Sequence, residues 1–178
     1  MSSSVETLKQ LCAPIWSLYS IRSLLYWDQQ VQMSARGGGV RGQQFAALEG
    51  VAHQLLTAPN FADTLRRAEE EAQAPLDRQY VRVVRRSYDL AAKLPSQLVE
   101  ERARVHARAV EAWAAARKAN RFSDFLPHLR DVFRLTREVA DHRGFAQHPY
   151  DAMIDEYEPG MTTARVEELF EQMLPSLI

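Results

Sequence analysis

Apolar residues recur at three- and four-residue intervals along almost the whole chain. Leu8, Leu11, Cys12, Ile15 and Tyr19 fall on one helical face, and the pattern extends toward Trp27. Pro14 lies inside this run and predicts a kink or the start of a second segment. The stretch "SARGGGVRG", with three adjacent glycines, predicts a loop, because such a run carries no side chains to pack and loses much backbone entropy in a helix. Phe45, Leu48, Ala52 and Leu55 define the next helix, closed by Ala58-Pro59-Asn60, and a short helix follows from Phe61 through Leu65 and Ala68.

Pro75 suits the first turn of a further helix, with Leu76, Tyr80, Val83 and Val84 on one face and a stop at Lys93-Leu94-Pro95. Leu98, Val105, Ala109, Trp113 and Ala116 form the clearest stripe, carried to about Asn120. Ser123 is placed to cap a helix bearing Leu126, Leu129, Val132, Phe133 and Ala140, and Gly144 follows its end as a left-handed residue would. Thr163 can cap a last helix with Glu167 and Glu168 near its positive end. No segment alternates with the period of a strand. The expectation is an all-α protein of six to eight helices, with residues 1–178 forming one helical domain.

Composition narrows the functions without naming one. The hydrophobic share of 46% and charged share of 25% are those of an ordinary globular protein. A net charge of −1 gives no support to a general nucleic-acid or membrane-surface role. The lone Cys12 excludes an internal disulfide and a cysteine metal cage, and its neighbours Leu11, Ala13 and Ile15 point to a small buried hydrophobe. "MSSSVETLKQ" lacks the basic and apolar regions of a signal peptide, and no run of 18 apolar residues is present, so a reducing cytoplasm is the expected location.

The candidate chemistry is sparse. His53, His106, His128, His142 and His148 are the histidines, and none stands in an "HExxH" arrangement that would set two ligands and a general base on one helix face. They read as surface or second-layer groups. The stretch "HPYDAMIDEYEPGMTT" carries Asp151, Asp155, Glu156 and Glu158 but lacks the alternating carboxylates and central glycine of a calcium hand. Its spacing puts Asp151 and Asp155 on an exposed edge of a helical turn, with Tyr150, Met153, Ile154 and Tyr157 packing inward. "RGGGVRG" lacks the Lys-Ser/Thr of a phosphate cradle. Arg78, Arg82, Arg85 and Arg86 form a basic stripe expected to pair with Glu69, Glu70, Glu71 or Asp89.

Three stretches together resemble the carboxypeptidase Taq family of metallocarboxypeptidases, in order and over essentially the whole chain. They are "LLYWDQQVQMSARGGGVRGQQFAALEGVAHQLL", "AAKLPSQLVEERARVHARAVEAWAAARKANRFSDFLPHLRDVFRLTREVA" and "HPYDAMIDEYEPGMTTARVEELFEQMLPSL". The family often has proline after the methionine of the first loop, where this chain has Ser34 and Ala35. The resemblance implies an almost wholly helical fold with a deep groove, one divalent metal (zinc or cobalt) at its floor, release of C-terminal amino acids from peptides, and commonly a homodimer. It implies a metal held by an "HExxH" helix and a downstream glutamate, with metal-activated water as the attacking group. Those segments come after the stretches matched here, so no catalytic residue, metal ligand or cofactor is assigned to this chain.

The first expectation is therefore an N-terminal scaffold or lid region of such an enzyme, inactive alone, with peptide as a substrate of the complete enzyme only. Trp27, Asp28 and Met33 are its candidate groove-lining residues. Tyr150, Asp151, Asp155, Tyr157, Pro159 and Gly160 are the shaped loop, its carboxylates making caps and ion pairs. The alternative is a non-catalytic interaction protein that pairs with itself or a full-length relative. Its candidate interface is the closing stripe Leu169, Phe170, Met173, Leu174, Leu177 and Ile178. That stripe is equally readable as a docked helix or as the edge of a longer protein. A third and weakest reading places a metal at His142, His148 and Asp151.

Overall fold

The structure, a computed structural model, describes residues 3–34 and 37–177. Ala35 and Ile178, both singled out above, lie outside the described residues. Eight α-helices make up the fold among the described residues: α1 (Ser4–Val31), α2 (Gly38–Leu56), α3 (Pro59–Glu71), α4 (Pro75–Ala92), α5 (Ser96–Lys118), α6 (Phe122–Arg143), α7 (Asp151–Tyr157) and α8 (Thr163–Met173). A 3-10 turn, Leu174–Ser176, follows α8. The protein is all-α, as expected. It divides into two compact units, Met1–Val132 and Phe133–Ile178, with the boundary inside α6.

In the first unit the core gathers Val5, Leu8, Cys12 and Ile15 of α1, Ala52 and Leu56 of α2, Phe61, Leu65 and Ala68 of α3, and Val81 and Val84 of α4. The 3-4-3 spacing of the α1 residues is the apolar stripe that the sequence carries there. Ser3 caps α1 by accepting from the Glu6 N–H, and Glu71 reaches back to accept from the Ser4 N–H at 2.9 Å and its hydroxyl at 2.7 Å. That contact sets a carboxylate on the positive end of α1. Pro14 neither ends nor divides α1. Pro59 and Pro75 each open a helix at its first turn, where a missing N–H costs nothing.

The glycine run is not a loop. Gly37 precedes the first turn of α2 and Gly38 and Gly39 lie within it. Gly38, Gly42, Ala46 and Gly50 recur every four residues and are buried, so α2 carries a strip of small residues. At Gly42 a Cβ would stand 3.5 Å from the Arg104 carbonyl and 3.7 Å from the Ala107 methyl, which shows how closely α5 runs. At Gly38 it would fall on the Glu111 carboxylate. At Gly50 it would press on Glu100, whereas at Gly42 the distances are ordinary contact and at Gly39 the space is open.

On α5, Leu98, Ala109 and Ala116 are buried while Trp113 stays 45% exposed, so the stripe is narrower than its apolar residues suggest. α6 begins at Phe122, one residue before the expected cap, and the Ser123 hydroxyl turns to Asp124 instead. In the second unit Leu135, Val139, Ala140 and Ala152 are buried. Gly144 has φ of +80° and its N–H returns to the Ala140 carbonyl, which closes α6 as anticipated.

Candidate functional site

Each unit holds part of what the sequence marks as functional. In the first unit, Asp28 turns to Arg41 in an ion pair, while Arg41 also donates to the Leu25 carbonyl and, at 2.9 Å, to Gln44. Arg41 is buried and thereby ties the end of α1 to the start of α2. The Asp28 carboxylate is thus committed to a neighbour. Trp27, next to it, is 54% exposed. Met33 is half-buried beside Gly37, its N–H bonded to the Asp28 carbonyl at 2.9 Å.

Of the histidines, read as surface or second-layer groups, His53 is not on the surface. It is buried, with Nε2 3.0 Å from the Ala91 carbonyl and Nδ1 3.1 Å from the Ser96 hydroxyl. A carbonyl can only accept, so Nε2 carries a proton, and in the neutral ring Nδ1 accepts from the Ser96 hydroxyl. The ring is a strut between α2 and the turn that joins α4 to α5. Cys12 is a buried free thiol, pushed up by burial against a hydrogen bond with Tyr80, and stays protonated filler at neutral pH. Arg85 pairs with Glu69 at 2.7 Å and with Asp89 at 3.4 Å, as the basic stripe predicts.

In the second unit the acidic stretch folds around Asp151. Its Oδ1 accepts from the Thr163 N–H at 2.8 Å and the Thr163 hydroxyl at 2.5 Å, and its Oδ2 accepts from the His148 N–H at 3.2 Å. These donors, Thr163 foremost, hold the carboxyl below the usual carboxylate range. Asp155 accepts from the Gly160 N–H at 2.8 Å, where φ of +83° requires glycine for the turn after Pro159. Glu156 pairs with Arg143 at 2.8 Å.

Two expectations are corrected here. Asp151 is buried rather than on the exposed edge, whereas Tyr150 is exposed and Tyr157 is 83% exposed rather than packed inward. The reason is that the carboxylate is needed inside by Thr163, which turns the seven-residue helix so that Asp151 and Ala152 face in. The capping residue of α8 is Thr162, whose hydroxyl accepts from the Arg165 N–H, while Thr163 is the first helical residue. In α8 and the turn after it no residue is buried: Leu169 is half-buried, and Phe170, Met173, Leu174 and Leu177 are exposed.

Nothing in this arrangement suits a metal. Among the described residues no three His, Cys, Asp or Glu side chains converge to hold an ion. Both Asp151 oxygens face hydrogen-bond donors, and His148 Nδ1 accepts from the Tyr150 N–H at 3.1 Å. A cation at His142, His148 and Asp151 would have to displace these bonds. Among the described residues no helix is long and apolar enough to cross a membrane.

Residues 7–178 match the family model for the carboxypeptidase Taq (M32) metallopeptidase. The chain belongs to that family. Thermostable carboxypeptidase 1 of Pyrococcus furiosus is 34% identical over 170 residues, covering 93% of this chain and 34% of the relative. Thermostable carboxypeptidase 1 of Thermus thermophilus is 33% identical over 174 residues, covering 90% and 34%. Among solved structures, Pyrococcus furiosus carboxypeptidase in its Apo-Mg form gives a TM-score of 0.80 at 30% identity, covering 98% of this chain and 35% of that one. The BsuCP crystal structure gives 0.90 at 22% identity, covering 96% and 35%. The chain therefore spans about a third of the length of the M32 relatives it matches.

The sequence signals for Arg41, His53 and the α2 glycine strip were weak in different degrees. The four-residue recurrence of small residues through α2 was available to be read. A lone histidine on an apolar helix face carries no sign of which carbonyl it will meet.

Proposed function

We propose that this chain is the N-terminal scaffold of a metal-dependent carboxypeptidase that releases C-terminal amino acids from peptides, and that it does not perform the reaction alone. The observation that carries the reading is the match to the M32 family over 7–178 in a chain spanning a third of its relatives, with no converging metal-type side chains among the described residues. In the complete enzyme these helices form one wall or lid of the groove, and lids exclude water and limit how much peptide enters. Of Trp27, Asp28 and Met33, Trp27 has the exposed ring, and Asp28 is spent on Arg41. The acidic stretch is a scaffold, with Asp155 occupied by the turn and Asp151 by the start of α8.

Zinc or cobalt, a homodimer and a cytoplasmic location belong to the same reading. The deciding experiment is C-terminal amino-acid release from a blocked dipeptide by the purified chain, with zinc or cobalt supplied and bound metal counted. The expected result is no release and no stoichiometric metal. Metal-dependent release by a preparation free of contaminating peptidase would overturn the proposal.

A second reading, a non-catalytic interaction protein, is favoured by one observation: α8 presents Phe170 and Met173, and the turn after it Leu174, without a buried residue. Self-association of the purified chain, abolished by Phe170→Glu with Met173→Glu, would support it.

A further inference from the structure

The second half of α1 exposes a long apolar ridge. Its first half buries Val5, Leu8, Cys12 and Ile15, but no residue after Ile15 is buried. The side of the second half that meets the rest of its unit is mixed: Leu18 and Tyr19 pack against the core and Leu25 is half-buried, beside polar contacts. Arg22 pairs with Glu49 at 2.6 Å, Asp28 pairs with Arg41, and Gln29 Nε2 donates to the Ala107 carbonyl at 3.2 Å. The outer side is apolar: Trp16, Leu24, Trp27 and Val31, spaced to share one helix face, are between 38% and 63% exposed.

The serines on this part of α1 do not make the ridge polar. Ser17, Ser20 and Ser23 each give their hydroxyl hydrogen to the carbonyl four residues back, at 3.0, 2.9 and 3.0 Å. Between Trp16 and Val31 the ridge itself carries no charge. A helix face left to water carries charged and polar residues instead. An uncharged apolar ridge over four turns long marks a surface that another apolar layer covers.

We infer that the ridge Trp16-Ser20-Leu24-Trp27-Val31 is the docking face for the portion of the M32 fold that lies outside the matched third of the relatives. The relatives are about three times as long as their match to this chain, and they keep the same backbone with that portion present, at TM-scores of 0.80 and 0.90. The additional layer is therefore accommodated without refolding these helices, and the ridge is the uncharged surface α1 offers it. The inference rests on the scaffold reading and refines it for Trp27: the ring meets protein rather than peptide.

The test co-expresses the 178-residue chain with the segment of Pyrococcus furiosus thermostable carboxypeptidase 1 outside the match, and measures the complex recovered through a tag on that segment. The unaltered chain is expected to co-purify in a one-to-one ratio. Leu24→Glu with Trp27→Glu is expected to cut recovery at least about tenfold, since two apolar side chains would be replaced by charges in a dry contact. Leu76→Glu, on the equally uncovered Leu76 of α4, is the control and should leave recovery unchanged. Because the ridge is exposed in the chain alone, the double variant should melt within about 3 °C of the unaltered chain, which separates lost docking from lost folding.

Recovery that the double variant does not alter would overturn the docking face while leaving the scaffold reading intact. A solitary chain that dimerises in sedimentation, and that the same double variant returns to monomer, would make a second copy the occupant and overturn the inference. No complex even with the unaltered chain would sink the scaffold reading and the docking with it.

Discussion

Phe61 in α3 and Phe170 in α8 carry the same ring, the first 1% exposed and the second 65%. Phe61 lies in a core fed by four helices and stacks near Tyr88 at 6.3 Å between ring centres. Phe170 belongs to a helix with no buried residue, held at its start by one threonine cap and one aspartate. The first unit is stabilised by apolar burial between helices distant in sequence. The order of α7 and α8 rests more on short-range hydrogen bonds to Asp151 and Asp155. The two regions should therefore respond to different insults, the one to cavities and the other to pH and to loss of single acceptors.

The sharpest test of the contrast is a pair of truncations followed by urea unfolding. Phe61→Ala should cost about 3–5 kcal/mol, the range for removing a large buried ring. Phe170→Ala should change stability by no more than about 0.5 kcal/mol, as an exposed residue would. Similar losses from both would erase the distinction.

Next in size is the α2–α5 contact. Gly42→Leu should destabilise by about 1–3 kcal/mol, because the added atoms must push against the Arg104 carbonyl and Ala107. Gly42→Ala meets only ordinary contact distances, so the better helix propensity should win and raise stability by about 0.5–1 kcal/mol. Thermal melts of both variants would check the opposite signs.

The smallest and most local effect concerns Asp151. Its folded pKa is depressed, so its contribution is fully present above the ordinary aspartate value of about 4 and is lost as pH falls through the lower folded value. Amide exchange at Thr163 and His148, corrected for the intrinsic pH dependence, should speed up on acidification while the Leu8 and Leu65 amides stay protected. Asp151→Asn should speed exchange at Thr163 at neutral pH, because a neutral amide oxygen is a weaker acceptor than a carboxylate. If protection at all four sites fell together, the two regions would be one cooperative unit.

Much of this architecture was legible in the sequence, because helix stops act locally. Pro75, Pro95 and Gly144 forbid or favour particular backbone angles whatever surrounds them. The stripe Leu8, Cys12, Ile15 also reports directly on the core. What escaped was decided by partners beyond the reach of a local pattern. Gly38 looks like a helix breaker until Glu111 of α5, more than seventy residues on, is seen to fill the place of its Cβ. Asp151 looks like a surface carboxylate until Thr163 claims it, and that claim turned the tyrosines outward. The outer ridge of α1 was hidden differently: it repeats the three- and four-residue spacing one position over from the core stripe, Trp16 following Ile15, and periodicity does not say which face is covered. For the candidate site, family membership was legible from three motifs, and the commitments of Asp28 and His53 were not.

The bond from Ser4 to Glu71 has a consequence for the order in which the chain can assemble. It joins residues 67 positions apart, whereas Asp151 and Thr163 are separated by 12. For a flexible chain, the chance that two such ends meet falls with loop length, by about tenfold between these two spans. The α7–α8 turn can thus form and re-form as a local event. The start of α1 can be fixed to α3 only after the intervening helices have drawn together, which makes that contact a marker of completed collapse in the first unit.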